Sequence, residues 1–180
     1  MHVLSLMRRF VFTAALLGAV AAVAGAQSGA STLTLVGFDG VTKQLGLAEL
    51  QALPQVELTD SSPATGAARF RGPAVRTLVS LVGAPEGRAL RGPSMTLVIL
   101  AEAADGYKVA YTLAELDEQF GARTAFVVLT QNGQPLSAAD GPFRIVIAGE
   151  THRARWIRQL TTLRVARAGE AAREDRLTSH

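Results

Sequence analysis

Gly141-Pro142-Phe143-Arg144-Ile145-Val146-Ile147 decides the reading of this chain, together with Gln131-Asn132-Gly133-Gln134-Pro135-Leu136 before it and Arg153-Ala154-Arg155-Trp156-Ile157-Arg158 after it. Asn132-Gly133 has the composition of a tight hairpin turn, whose central positions need positive φ. Phe143 to Ile147 is mostly apolar and β-branched, as a buried strand requires. The third segment places three arginines around the only tryptophan.

Working outward, Thr32 to Val36 and Val41 to Leu45 read as a hairpin around Phe38-Asp39-Gly40. Leu47, Leu50 and Leu53 have helical spacing, and Pro54 ends that helix. Val56 to Leu58 reads as a short strand and Asp60 to Ala67 as an exposed loop. Pro73 is expected to start a helix that buries Val75, Leu78, Val79 and Val82, with Gly83 as its cap and Pro85 preventing continuation. A second loop runs from Gly87 to Pro93. Met95 to Ala101 is an unbroken apolar run, expected to be a strand buried on both faces. Asp105-Gly106 turns it onto Tyr107 to Tyr111, and Thr112 with Glu115 forms a capping box. Thr124 to Thr130 is another buried strand, and Trp156 to Val165 holds at least one more. About eight strands and two or three short helices, not in βα alternation, make the class α+β with mixed, largely antiparallel sheets.

Residues 1–26 read as a secretion signal: Arg8-Arg9, an apolar run of about 15 residues, and Ala24-Gly25-Ala26 before Gln27. The run is shorter than the roughly 20 residues that cross a bilayer. Arg8-Arg9-Phe10-Val11-Phe12 also fits a loose twin-arginine pattern. The expected organisation is a signal at 1–26, one domain at 27–168 and a polar tail at 169–180. The expected location is periplasmic or secreted, with no membrane association after cleavage. The formal charge of +3 includes Arg8 and Arg9. Without them 16 basic and 15 acidic residues remain, so the pI does not argue for nucleic acid.

The chain contains no cysteine, which excludes disulfides, cysteine nucleophiles and thiolate metal sites. Beyond residue 26 the only histidines are His152 and His180, too few for a histidine metal site. Ser61 and Ser62 have no histidine at a diagnostic spacing, and neither Gly-x-Ser-x-Gly nor a Gly-rich phosphate loop is present. Asp117 and Glu118 are adjacent and do not face one another as a general acid/base pair would.

Five segments, in order, resemble the molybdopterin-binding domain of the sulfite oxidase family. They are Phe70-Arg71-Gly72-Pro73-Ala74-Val75-Arg76-Thr77-Leu78-Val79, Asp105-Gly106-Tyr107-Lys108-Val109-Ala110-Tyr111-Thr112-Leu113, Asn132-Gly133-Gln134-Pro135-Leu136, Gly141 to Ile147, and Arg155-Trp156-Ile157-Arg158-Gln159-Leu160. The likeness spans about Thr32 to Val165 and implies that family's fold, with molybdopterin as the inherited cofactor. In the family a cysteine thiolate from the loop before the aromatic-x-Gly segment ligates molybdenum. Here that region is Leu58-Thr59-Asp60-Ser61-Ser62-Pro63, without sulfur. Oxygen from Asp60, Ser61 or Ser62 is a poorer donor to a high-valent metal than thiolate. The resemblance also implies that basic residues near the tryptophan hold the pterin phosphate.

Arg144, His152, Arg153, Arg155, Trp156 and Arg158 are therefore the candidate anion or pterin site. Arginine's fork suits phosphate or carboxylate, and an indole can stack on a planar ring. The same residues also fit a core tryptophan flanked by a solvated, pairing-resistant edge. Tyr107 and Tyr111 share a strand face and could line a pocket or pack the core. The expected function is an exported module for a small anion or a periplasmic protein partner, built on a degenerate catalytic site. The alternative is a molybdopterin-dependent oxidoreductase, or its electron-transfer partner, that holds the cofactor without cysteine.

Overall fold

Strands β1 (Thr32–Val36) and β2 (Thr42–Gly46) form the expected hairpin, pairing Thr32 with Gly46 and Val36 with Thr42. The computed structural model describes residues 31–62, 66–150 and 152–170. The predicted leader at 1–26 lies outside them, as does the predicted tail at 169–180 apart from Gly169 and Glu170. β1 also runs parallel to the last strand, β11 (Leu160–Arg167). β11 pairs antiparallel with β5 (Leu97–Ala103), and β5 with β6 (Lys108–Thr112). The five-stranded sheet has the order β2-β1-β11-β5-β6. Leu35, Leu163, Ala101 and Val109 are register partners across it and point to one face, because facing residues of neighbouring strands share a side. All four are buried.

A second sheet is built on a long hairpin, β3 (Gln55–Ser62) and β4 (Gly66–Pro73), extended by the two-residue strands β8 (Thr130–Gln131) and β9 (Gln134–Pro135). The loop expected at Asp60 to Ala67 is thus largely paired, since Asp60 faces Ala68 and Ser61 faces Ala67; Pro63 to Thr65 lie outside the described residues. Asn132 (φ 53) and Gly133 (φ 76) make the turn between β8 and β9. Asn132 also holds β4, accepting from the Arg69 N–H at 2.8 Å and donating its own to the Arg69 carbonyl at 2.7 Å.

A third, two-stranded sheet joins β7 (Ala125–Val128) to β10 (Arg144–Ile147), both almost wholly buried. It lies so close to β4 that a Cβ on Gly72 would sit 1.7 Å from the Val127 carbonyl oxygen. The glycine of the Phe70-Arg71-Gly72-Pro73 segment is therefore a steric requirement. Helix α1 (Leu47–Ala52) buries Leu50. Helix α2 (Val75–Ser80) starts two residues after Pro73, which closes β4 instead, and it buries Val75, Leu78 and Val79 as expected. Val82 is buried just beyond it, and Gly83 takes φ +81. These side chains share one core cluster with β1, β5, β7, β10 and β11.

β5 differs from expectation. Met95 belongs to a preceding 3-10 turn, and the strand alternates, with Leu97, Ile99, Ala101 and Ala103 buried and Val98, Leu100 and Glu102 half-buried. The architecture is otherwise the expected α+β arrangement of mixed, mostly antiparallel sheets with short helices.

Candidate functional site

Residues Arg153–Arg155 form a 3-10 turn whose end is fixed by Trp156 N–H donating to the Arg153 carbonyl at 2.9 Å. The chain then lies along β10, with Ile145 N–H donating to the Ile157 carbonyl and Leu160 N–H to the Phe143 carbonyl, both at 2.8 Å. Two tyrosines from the β5–β6 hairpin pin the turn from the other side. Tyr107 donates its hydroxyl to the Ala154 carbonyl at 2.9 Å, and Tyr111 donates to the Arg155 carbonyl. Tyr111 is buried; burial pushes its phenol well above the ordinary value, outweighing Arg155, so it stays a neutral donor. Tyr107 is 50 % exposed.

Trp156 is only 6 % exposed. Phe70 of β4 meets it edge-on, with ring centres 5.9 Å apart at 89°. The guanidinium of Arg153 lies 4.7 Å from the indole centre and that of Arg144 lies 5.6 Å away, both within cation–π range. The indole is thus a seat for arginines, with 6 % of the residue's surface left exposed. Arg144, Arg153, Trp156 and Arg158 line one cleft of about 480 Å³ with Tyr107, Asp105 and Asp140. Arg144 forms an ion pair with Asp140 at 3.2 Å, and Arg153 pairs with Asp60 of β3. Arg158 is exposed and has no ion pair among the described residues. Burial lowers the Arg144 pKa; Asp140 opposes this, and Arg158 and Arg153 reinforce it, as expected of converging cations. Two buried donors here, Arg144 Nε and Trp156 Nε1, have no acceptor among the described residues.

Two of the six expected residues fall elsewhere. Arg155 turns to the opposite side, bonding Glu115 at 2.8 Å and Glu150 at 3.0 Å, with its guanidinium 4.8 Å from the Tyr111 ring centre. Glu115 thereby joins two structures, since it also completes the capping box with Thr112. A 3-10 turn has about three residues per turn, so positions two apart diverge by about 120° and Arg153 and Arg155 part company. His152 is exposed and does not line the cleft.

Asp60 does not line the cleft itself but pairs with the cleft residue Arg153, a contact across 93 positions that nothing local signals. The buried pair Arg76–Asp117, 3.5 Å apart, was likewise missed. It lines a second cleft of about 540 Å³. Asp117 accepts from the backbone of Gly87 and Gln119, and the hydrogen bond from Gly87 leads the lowering of its pKa. Arg76 donates to the Pro85 carbonyl, so this pair ties α2 to the turns around it.

The residues present fit an anion and do not fit a molybdenum centre. The segment expected to supply the metal ligand is a paired strand whose acid, Asp60, is already engaged by Arg153. The chain has no sulfur donor of the thiolate kind, and among the described residues no group of three or more His, Cys, Asp or Glu is placed to hold a metal ion. The phosphate of a pterin, by contrast, is the kind of group that Arg153 and Arg158 can bind.

No curated protein matches the sequence. Among solved structures, the fold is similar to the sulfane dehydrogenase SoxCD from Paracoccus pantotrophus, with a TM-score of 0.58 at 14 % identity. The match covers 76 % of this chain and 38 % of that one, so this chain spans well under half of that protein's length. The family described as oxidoreductase molybdopterin binding domain matches residues 20–172. With the five segments placed in one such fold, the chain belongs to the oxidoreductase molybdopterin-binding-domain family.

Proposed function

We propose that this chain is an exported member of the family that binds a small oxyanion, or the anionic end of a larger ligand, in the cleft beside Trp156, and does not perform molybdenum redox chemistry. The observation that carries this reading is the convergence of Arg144, Arg153 and Arg158 on one cleft, with Arg153 and Arg144 stacked on a buried indole. Stacking on Trp156 fixes two cations that would otherwise repel, and Arg158 brings a charge without a carboxylate partner among the described residues. A half-exposed Tyr107 on the cleft wall offers an aromatic surface for any ring attached to the anion. Export rests on the leader-like residues 1–26.

Calorimetric titration with sodium sulfate at low ionic strength tests the reading. The intact protein binds sulfate, and Arg158→Gln weakens binding by about tenfold through loss of one close charge. Unchanged affinity in both Arg158→Gln and Arg153→Gln removes the cleft as the site.

A further inference from the structure

We infer that Asp60 is an internal competitor for this cleft, which makes the site a filter that rejects singly charged carboxylates and admits doubly charged oxyanions. The inference rests on the anion-binding reading above. Its starting point is that Arg153 Nη2 donates to Asp60 Oδ2, so part of the guanidinium fork is filled by a carboxylate of the protein itself. The Asp60 backbone is held by β-pairing, with Thr59 opposite Arg69 and Asp60 opposite Ala68. Its side chain is 28 % exposed and that of Arg153 is 35 % exposed. Both can therefore exchange partners in contact with solvent, without opening the core around Trp156.

Asp140 makes the equivalent contact to Arg144, but the Arg144 side chain is only 14 % exposed and its pair is the less exchangeable of the two. The exchangeable position is Arg153, and the exposed Arg158 on the same cleft adds a second charge for the incoming ligand. A tethered carboxylate acts at an effective concentration on the order of millimolar or above. A free monocarboxylate offers Arg153 nothing that Asp60 does not already supply, so it loses the competition. A dianion gains from Arg153 and Arg158 together, which Asp60 cannot do from its fixed strand.

The test compares sulfate and acetate titrations of the intact protein, Asp60→Asn, Arg153→Gln and the double variant, with thermal unfolding to confirm that each is folded. Asp60→Ala stands in if the asparagine variant does not fold. The intact protein should bind sulfate and not acetate. Asp60→Asn should tighten sulfate by about fivefold, the scale of a partly exposed ion pair, and should begin to bind acetate. The gain should vanish in the Arg153→Gln background, because the competition is for that guanidinium. If Arg153→Gln weakens sulfate while Asp60→Asn changes nothing, the cleft stands and the filter is wrong. A gain that persists without Arg153 reduces Asp60 to a diffuse charge effect and also overturns the inference. Absence of sulfate binding in both the intact protein and Asp60→Asn overturns the anion site and the filter together.

Discussion

Gly72→Ala is the sharpest single test of the fold. The added Cβ would stand 1.7 Å from the Val127 carbonyl oxygen and 2.7 Å from its carbon, where ordinary contact begins at 3.4 Å. The obstacle is backbone, so no rotamer relieves it; β4 and β7 must separate by roughly 1.7 Å, the shortfall in that contact. Separation strains the Leu129 N–H bond to the Arg71 carbonyl, now 2.9 Å, and the bridge between Ala74 and Phe126. Two strained backbone bonds at about 1 kcal/mol each, plus disturbed packing around buried Phe126, Val127 and Val128, give a cost of about 3–5 kcal/mol. Chemical denaturation should show a lower midpoint with an unchanged slope, and thermal melting a drop of about 10–20 °C. Because β4 also carries Phe70 against Trp156, the emission of the single tryptophan should shift as well. A melting temperature within about 2 °C of the parent would refute the close crossing of β4 and β7.

Other outcomes follow from the same structure. Trp156→Ala should cost about 3–5 kcal/mol, whereas Trp156→Phe should stay folded and keep sulfate affinity within about threefold, because the indole seats arginines; denaturation and calorimetry check both. The intact protein should show blue-shifted, poorly quenched tryptophan emission, since its only indole is buried, and red-shifted emission would contradict that placement. Asp117, 3 % exposed, has a carboxyl held below its ordinary value, chiefly by the Gly87 N–H. Its stabilisation is therefore present above the ordinary carboxylate range and lost as pH falls through the lower folded value. Asp117→Asn should destabilise by about 1–3 kcal/mol at neutral pH, with the difference closing in acid; a pH-independent difference would argue against the ionised contact. Mass spectrometry of the protein produced in a secreting bacterial host should place the first residue at Gln27, and an intact Met1 would refute the cleavage reading.

Much of the fold was legible because its signals are local. The alternation of Thr32 to Val36, the Asn132-Gly133 turn and the Thr112–Glu115 box each specify a backbone conformation from a few residues, and each is found. Asp60 to Ser62 and Gly66-Ala67 misled because they are polar or small, and their pairing comes from the register of the long hairpin. The run from Met95 to Ala101 suggested two buried faces, but both neighbours, β11 and β6, are antiparallel and leave Val98 and Leu100 partly open. The site was half legible. Arginines near a tryptophan were visible as a cluster, but a 3-10 turn sends Arg153 to the cleft and Arg155 to Glu115 and Glu150. Asp60 sits on the paired β3–β4 hairpin, 93 positions from Arg153, a relation no local pattern encodes.

The central claim is that the chain keeps the family's scaffold and uses it for an anion in place of a metal. Its most direct test is the metal content of the protein purified from a host that synthesises molybdopterin. Molybdenum should lie far below one atom per chain, with a featureless visible spectrum, in the same preparation that binds sulfate. Stoichiometric molybdenum that survives purification would contradict it.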